Sequence, residues 1–101
     1  MSKEVLIELL KSTQQPFAEE LFDLGHKIGK LYTDHGLPLD MSLERLPHSK
    51  EQKVQILYGA CNWLIQHKRS SGATDKAIER QRKANIRTVE RYLKTGETGV
   101  Y

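Results

Sequence analysis

The sequence predicts an all-α fold, a small bundle of four to five helices with a C-terminal segment that reads as one helix or as a helix-turn-helix. Three observations predict it. Apolar residues recur at spacings of three and four along most of the chain. Capping residues, Pro and Gly stand where those runs begin and end. A length of 101 residues suffices for one modest core and not for two. Residues 1–101 therefore form a single domain, with 1–72 as scaffold and dimerisation helices and 73–96 as a basic C-terminal element.

Taken in order, Val5, Leu6, Leu9 and Leu10 make a short apolar stripe with Ser2 as its cap, and Pro16 disfavours helix just before itself. Pro16 suits the first turn of the next helix. There Phe17, Leu21, Leu24, Ile28, Leu31 and His35 alternate at spacings of four and three, a heptad-like seam that Gly36 ends. Gly25 and Gly29 share a neighbouring strip with Ala18 and Phe22. Each costs roughly 1 kcal/mol of helix propensity, and close approach of another helix is a reason to keep them. The stretch LPLDMSLERLPHS is a loop with one expected helical turn at residues 42–46.

Ser49 and Gln52 form a capping box, which starts a helix running to about Arg69. That helix is apolar almost all round: Val54, Ile56, Leu57, Tyr58, Ala60, Cys61, Trp63, Leu64 and Ile65. A helix without a polar face is central and covered on several sides. In a chain this short a second copy is a candidate for one of those sides. The expected homodimer interface is Phe17, Leu21, Leu24, Ile28, Leu31, Tyr58 and Trp63. Residues 70–72 break the helix, and Thr74 caps the segment after the break.

Hydrophobic residues make up 38% of the chain and charged residues 29%. The chain is polar, but its apolar residues are clustered, which argues for folding rather than disorder. The net charge of +3 permits a polyanionic partner without demanding one. Its distribution says more. From Lys68 to Lys94 there are nine Lys or Arg against three acids, Asp75, Glu79 and Glu90.

Two readings of this basic segment stay open. In one, residues 74–94 are a single helix with Ile78, Ile86, Val89 and Leu93 on one face, broken by Arg82, and the charges are its wet side. In the other, the chain turns at Ala84, Asn85 and Ile86, Asn tolerating the left-handed conformation. A second helix at 87–94 then packs Val89 and Leu93 inward, and Gly96 ends it. The segment AIERQRKANIRTVERYLKTGE resembles the helix-turn-helix of resolvase- and transposase-type DNA-binding proteins and of some phage regulators, through Ile78, Arg80, Thr88, Val89, Arg91, Tyr92 and Leu93. Arg82 and Lys83 stand where that pattern has a buried Leu and a turn Gly.

The resemblance implies a small DNA-binding protein, a bacterial or phage transcriptional regulator. Arg87 and Thr88 would touch base edges or phosphates. Arg91 and Lys94 would track the backbone, and Arg80, Arg82 and Lys83 would add phosphate contacts. Double-stranded DNA is then the expected partner of a homodimer.

The alternative is a protein-binding adaptor or inhibitor, whose apolar helices form a groove and whose basic tail docks an acidic protein. An unbroken helix through Asn85 favours the adaptor. A basic helix on RNA phosphates fits the composition but has no module signature.

No catalytic constellation emerges. The glycines match no nucleotide fingerprint. His26, His35, His48 and His67 share no helical ligand spacing, and Cys61, the only cysteine, lies in the most apolar helix. The reading is a non-enzyme without metal or cofactor. One cysteine excludes an intramolecular disulfide, and no apolar run suits a signal peptide or a membrane span, so a cytoplasmic protein is expected.

Overall fold

The computed structural model describes residues 18–99, so the expected helix around Val5 to Leu10, and Phe17, lie outside them. Among the described residues there are four helices and no strand: α1 (Glu19–His35), α2 (Leu39–Glu44), α3 (Lys50–Ser70) and α4 (Asp75–Thr95). α3 is central, with α1 and α4 packed against it.

α1 begins at Glu19, later than the expected start at Pro16. Ala18 is extended, and its N–H donates to Gln55 Oε1 of α3 at 2.9 Å. That tertiary hydrogen bond fixes the entry. Glu19 and Glu20 suit the positive N-terminal end of the helix. Gly36 ends it at φ 66, where its N–H reaches Tyr32 O at 3.0 Å.

α2 is a second correction, lying at Leu39–Glu44 rather than 42–46. Pro38 stands just before its first turn, and Leu39 and Leu43 come onto one face one turn apart, 0% and 2% exposed.

α3 starts at the expected capping box. Gln52 N–H donates to Ser49 Oγ at 3.2 Å, and Ser49 N–H donates to Gln52 Oε1 at 3.0 Å. Its apolar circumference is covered within this chain, with Ile56, Leu57 and Cys61 all at 0% exposure. The glycines set the α1–α3 crossing. A Cβ built on Gly25 would overlap Ile56 O and lie 2.8 Å from Gly59 Cα, and one on Gly59 would overlap Phe22 O. The two backbones touch, which is the close approach the strip of small residues implies.

The expected oligomer seam is largely used up by this packing. Leu21, Ile28 and Tyr58 are 9%, 4% and 2% exposed in the chain's own core. Trp63 is half-buried against α1, its Nε1–H donating to Thr33 Oγ1 at 3.1 Å. Leu24 is half-buried and packed against that core, and Leu31 is exposed on the outer edge of α1. A one-dimensional pattern demands that an apolar face be covered. It does not say whether the cover comes from the same chain.

α4 runs unbroken through Ala84, Asn85 and Ile86, so the turn of the helix-turn-helix reading is absent. Asn85 is 1% exposed. Its Nδ2–H donates to Cys61 O at 3.1 Å, and its Oδ1 accepts from Gln81 Nε2–H at 2.8 Å. The amide therefore ties α4 to α3 rather than relieving a left-handed turn. Thr74 caps α4 by accepting from Ala77 N–H at 3.2 Å, and Gly96 ends it at φ 80. Beyond it, Thr98 N–H and Gly99 N–H donate to the two carboxylate oxygens of Asp40, at 2.6 and 3.1 Å. The segment after α4 is thus fastened to α2.

Candidate nucleic-acid interface

A helix advances 100° per residue, so the burial pattern of α4 fixes which side faces out. Asn85, Val89 and Tyr92 are buried, and Ala77, Ile78, Gln81, Ala84 and Thr88 are half-buried. All eight fall on one half of the circumference. On the opposite half, Lys76, Arg80, Lys83, Arg87, Arg91 and Lys94 follow one another at spacings of three and four, and every one is exposed. They form a straight basic ridge about 27 Å long at 1.5 Å per residue.

The cations differ in freedom. Among the described residues, Lys76, Arg80, Lys83, Arg87 and Lys94 have no carboxylate within ion-pairing distance. Arg87 Nε–H reaches back to Lys83 O at 3.5 Å, a long contact that leaves most of the guanidinium available. Arg91 lies along the edge of the ridge and over the segment after α4, where a Cβ on Gly99 would overlap its Nη1.

Two residues expected in the site stand apart from the ridge. Arg82 is rotated well off it and pairs with Glu79 at 3.8 Å, both side chains about half exposed. Thr88 turns to the body side, half-buried, its hydroxyl donating to Ala84 O at 2.8 Å. A role for it at base edges requires a separate recognition helix. In a continuous helix, position 88 lies a third of a turn from Arg87, toward the buried side.

Lys76 is the ridge member absent from the sequence-based site. Its signal is the spacing of four to Arg80. The helix-turn-helix resemblance begins one residue later and so passes it by.

A second constellation was also illegible in the sequence. Phe22, His26, Trp63 and His67 form a ladder of rings across α1 and α3, with successive centroids 4.9, 6.4 and 6.1 Å apart. Asn62 Nδ2–H lies 3.0 Å from His26 Nε2, which places the ring proton on Nδ1. Burial lowers the His26 pKa, and Asp23 opposes this more weakly. Burial and the Asn62 amide both favour the neutral ring. Cys61 is wholly enclosed, and burial pushes its thiol up to about 12, far from nucleophilic. Tyr92, near Asp40, is raised first by burial and then by that carboxylate. Among the described residues no group of three His, Cys, Asp or Glu side chains is placed to hold a metal ion. No helix is long and apolar enough to cross a membrane, again among the described residues.

Comparison with known proteins returns no matching family model, no matching curated protein and no matching solved structure.

Proposed function

We propose that the chain is a non-catalytic nucleic-acid-binding protein that lays the outer face of α4 along the phosphate backbone of duplex DNA. The observation that carries this is the ridge itself, Lys76, Arg80, Lys83, Arg87 and Lys94 in line on an exposed helix. The first four members sit about 4.5–6 Å apart along the axis, with Lys94 about 10.5 Å beyond Arg87, a sparser row of charge than the roughly 3.4 Å per phosphate on one strand. Contacts of this kind set affinity and salt dependence and carry no sequence information directly. The reading differs from the helix-turn-helix in what it asks of DNA, namely charge along a line rather than a helix seated in the major groove with base contacts. Regulation of transcription by such a protein acts through occupancy and through whatever the remaining faces recruit.

The unbroken α4 favours a second reading, a protein-binding adaptor whose ridge docks an acidic protein. The groove that this reading assigned to the apolar helices is filled by the chain's own core, so it too comes to rest on the ridge. The test is fluorescence anisotropy of random-sequence duplex DNA at several salt concentrations. Five phosphate contacts give a log–log salt slope of about −4.5. Neutralising Lys83 and Arg87 to Gln lowers the affinity and reduces that slope by roughly 2, while Arg82→Gln leaves it nearly unchanged. Absence of binding at low salt turns the search to an acidic protein.

A further inference from the structure

The exposed apolar side chains on the two flanking helices form two matched strips. On α4, Ile86 and Leu93 are 45% and 49% exposed and stand one heptad apart. On α1, Leu31 is 40% exposed, and Leu24, one heptad before it, is half-buried and packs in part against the chain's own core. Each strip is bordered by exposed charges of alternating sign. Along α1 the order is Glu20, Lys27, Asp34, and along α4 it is Lys83, Glu90, Lys94. The two rows are opposite in sign at the first two heptad steps; at the third, Asp34 faces Lys94 from within a turn, with Glu97 just beyond the end of α4.

We infer that α4 of one molecule packs, parallel, against α1 of a second copy, with Ile86 and Leu93 covered by Leu24 and Leu31 of that copy. A parallel alignment that sets Leu24 level with Ile86 also sets Leu31 level with Leu93. It brings Glu20 beside Arg82 and Lys83, Lys27 beside Glu90, and Asp34 level with Gly96, between Lys94 and Glu97. The charged row lies on opposite flanks of the two strips, increasing helical angle on α4 and decreasing on α1. Parallel helices bring those flanks together, as in the e–g pairs of a parallel coiled coil. The antiparallel alignment sets Lys27 level with Glu90 and Asp34 level with Lys83, but it puts the two charged rows on opposite sides of the contact, where they do not meet. Pairing α4 with α4 in parallel register sets Lys83 against Lys83.

The contact joins unlike surfaces. Each molecule in a pair keeps one unused strip, so association continues into a ring or an open chain. Two heptads of helix make a small interface, and assembly is therefore concentration-dependent. The contact draws on Lys83 and Lys94 of the ridge and so competes there with DNA, but the inference does not rest on the nucleic-acid reading, and its test contains no nucleic acid.

Sedimentation of the full chain across a wide concentration range is the test. Wild type is expected to grow beyond a dimer. Leu31→Asp and Leu93→Asp, both at exposed positions, are each expected to sediment as monomers with unchanged helical circular dichroism. An equimolar mixture restores one working contact, α4 of the Leu31→Asp chain on α1 of the Leu93→Asp chain, and gives a 1:1 dimer that grows no further. Lys83→Glu weakens association, and Glu20→Lys in the same chain restores it. A wild type that stays monomeric at the highest concentration overturns the inference. So does a mixture that fails to pair, or a single variant that still associates like wild type.

Discussion

The Asn85 side chain donates a hydrogen bond to the Cys61 carbonyl oxygen, 3.1 Å away, from the middle of one helix to the middle of another. Both residues are shut off from water. Together with the Gln81 amide bonded to Asn85, this contact ties α4 to α3 through polar groups.

Replacing Asn85 with Ala removes that bond, opens a small cavity and leaves the Gln81 amide without its acceptor. The expected loss is about 1–3 kcal/mol of stability. Urea unfolding followed by circular dichroism measures it. An unchanged midpoint would mean that α4 is held by Val89 and Tyr92 alone.

Gly59→Ala sets the gain in helix propensity, roughly 1 kcal/mol, against an overlap with the Phe22 carbonyl. A backbone carbonyl cannot rotate aside as a side chain can. Steric cost is expected to win, with a net loss of about 1–3 kcal/mol. The same substitution at an exposed helical glycine would stabilise, so the sign of the change in melting temperature decides whether these backbones touch.

Asp40→Ala strips the acceptors from Thr98 N–H and Gly99 N–H, the first belonging to a residue 1% exposed. Those two amides are expected to lose protection in hydrogen exchange, while amides in the middle of α3 keep theirs. The Tyr92 phenol should titrate lower than in wild type, since one of the two causes raising it is gone, yet still above the ordinary value, since burial remains.

His26 makes stability depend on pH. Its pKa is lower folded than unfolded, so below the unfolded value of 6.5 the unfolded chain binds more protons. Its contribution is present in full above that pH and is lost as pH falls through the folded value. Protonation at Nε2 also removes the acceptor for Asn62. Denaturation midpoints are expected to fall between pH 7.5 and pH 5.5, and His26→Gln should flatten that part of the profile. An identical slope in the variant would place the dependence on other groups.

Helix ends were the most legible feature of the sequence. Ser49 with Gln52, Thr74, Gly36 and Gly96 all cap where their chemistry says they should, because a cap is a local interaction read within four residues. The enclosure of Cys61 was equally plain from its neighbours in α3. What failed was non-local. Asn85 suggested a turn because asparagine tolerates one, and the competing use, a bond to a carbonyl twenty-four positions away, leaves no trace in its neighbourhood. Leu21 and Ile28 carried a true apolar seam whose partner was mistaken for another chain. Nothing around Asp40 in the sequence signals that Thr98 and Gly99 come to rest on it. The ridge was legible as charge, but its membership required knowing that α4 is one helix, which brings in Lys76 and sets Arg82 and Thr88 aside.

The contact between Gly25 and Gly59 has a consequence for ancestry. Backbones this close leave no tolerance for drift at either position, whereas the fold itself makes no such demand on the charged surface. A distant relative of this chain is therefore expected to betray itself by two small residues about thirty-four positions apart, even where every lysine and arginine has changed. A chain with bulky residues at both would have to hold its two long helices farther apart, and would be a different fold.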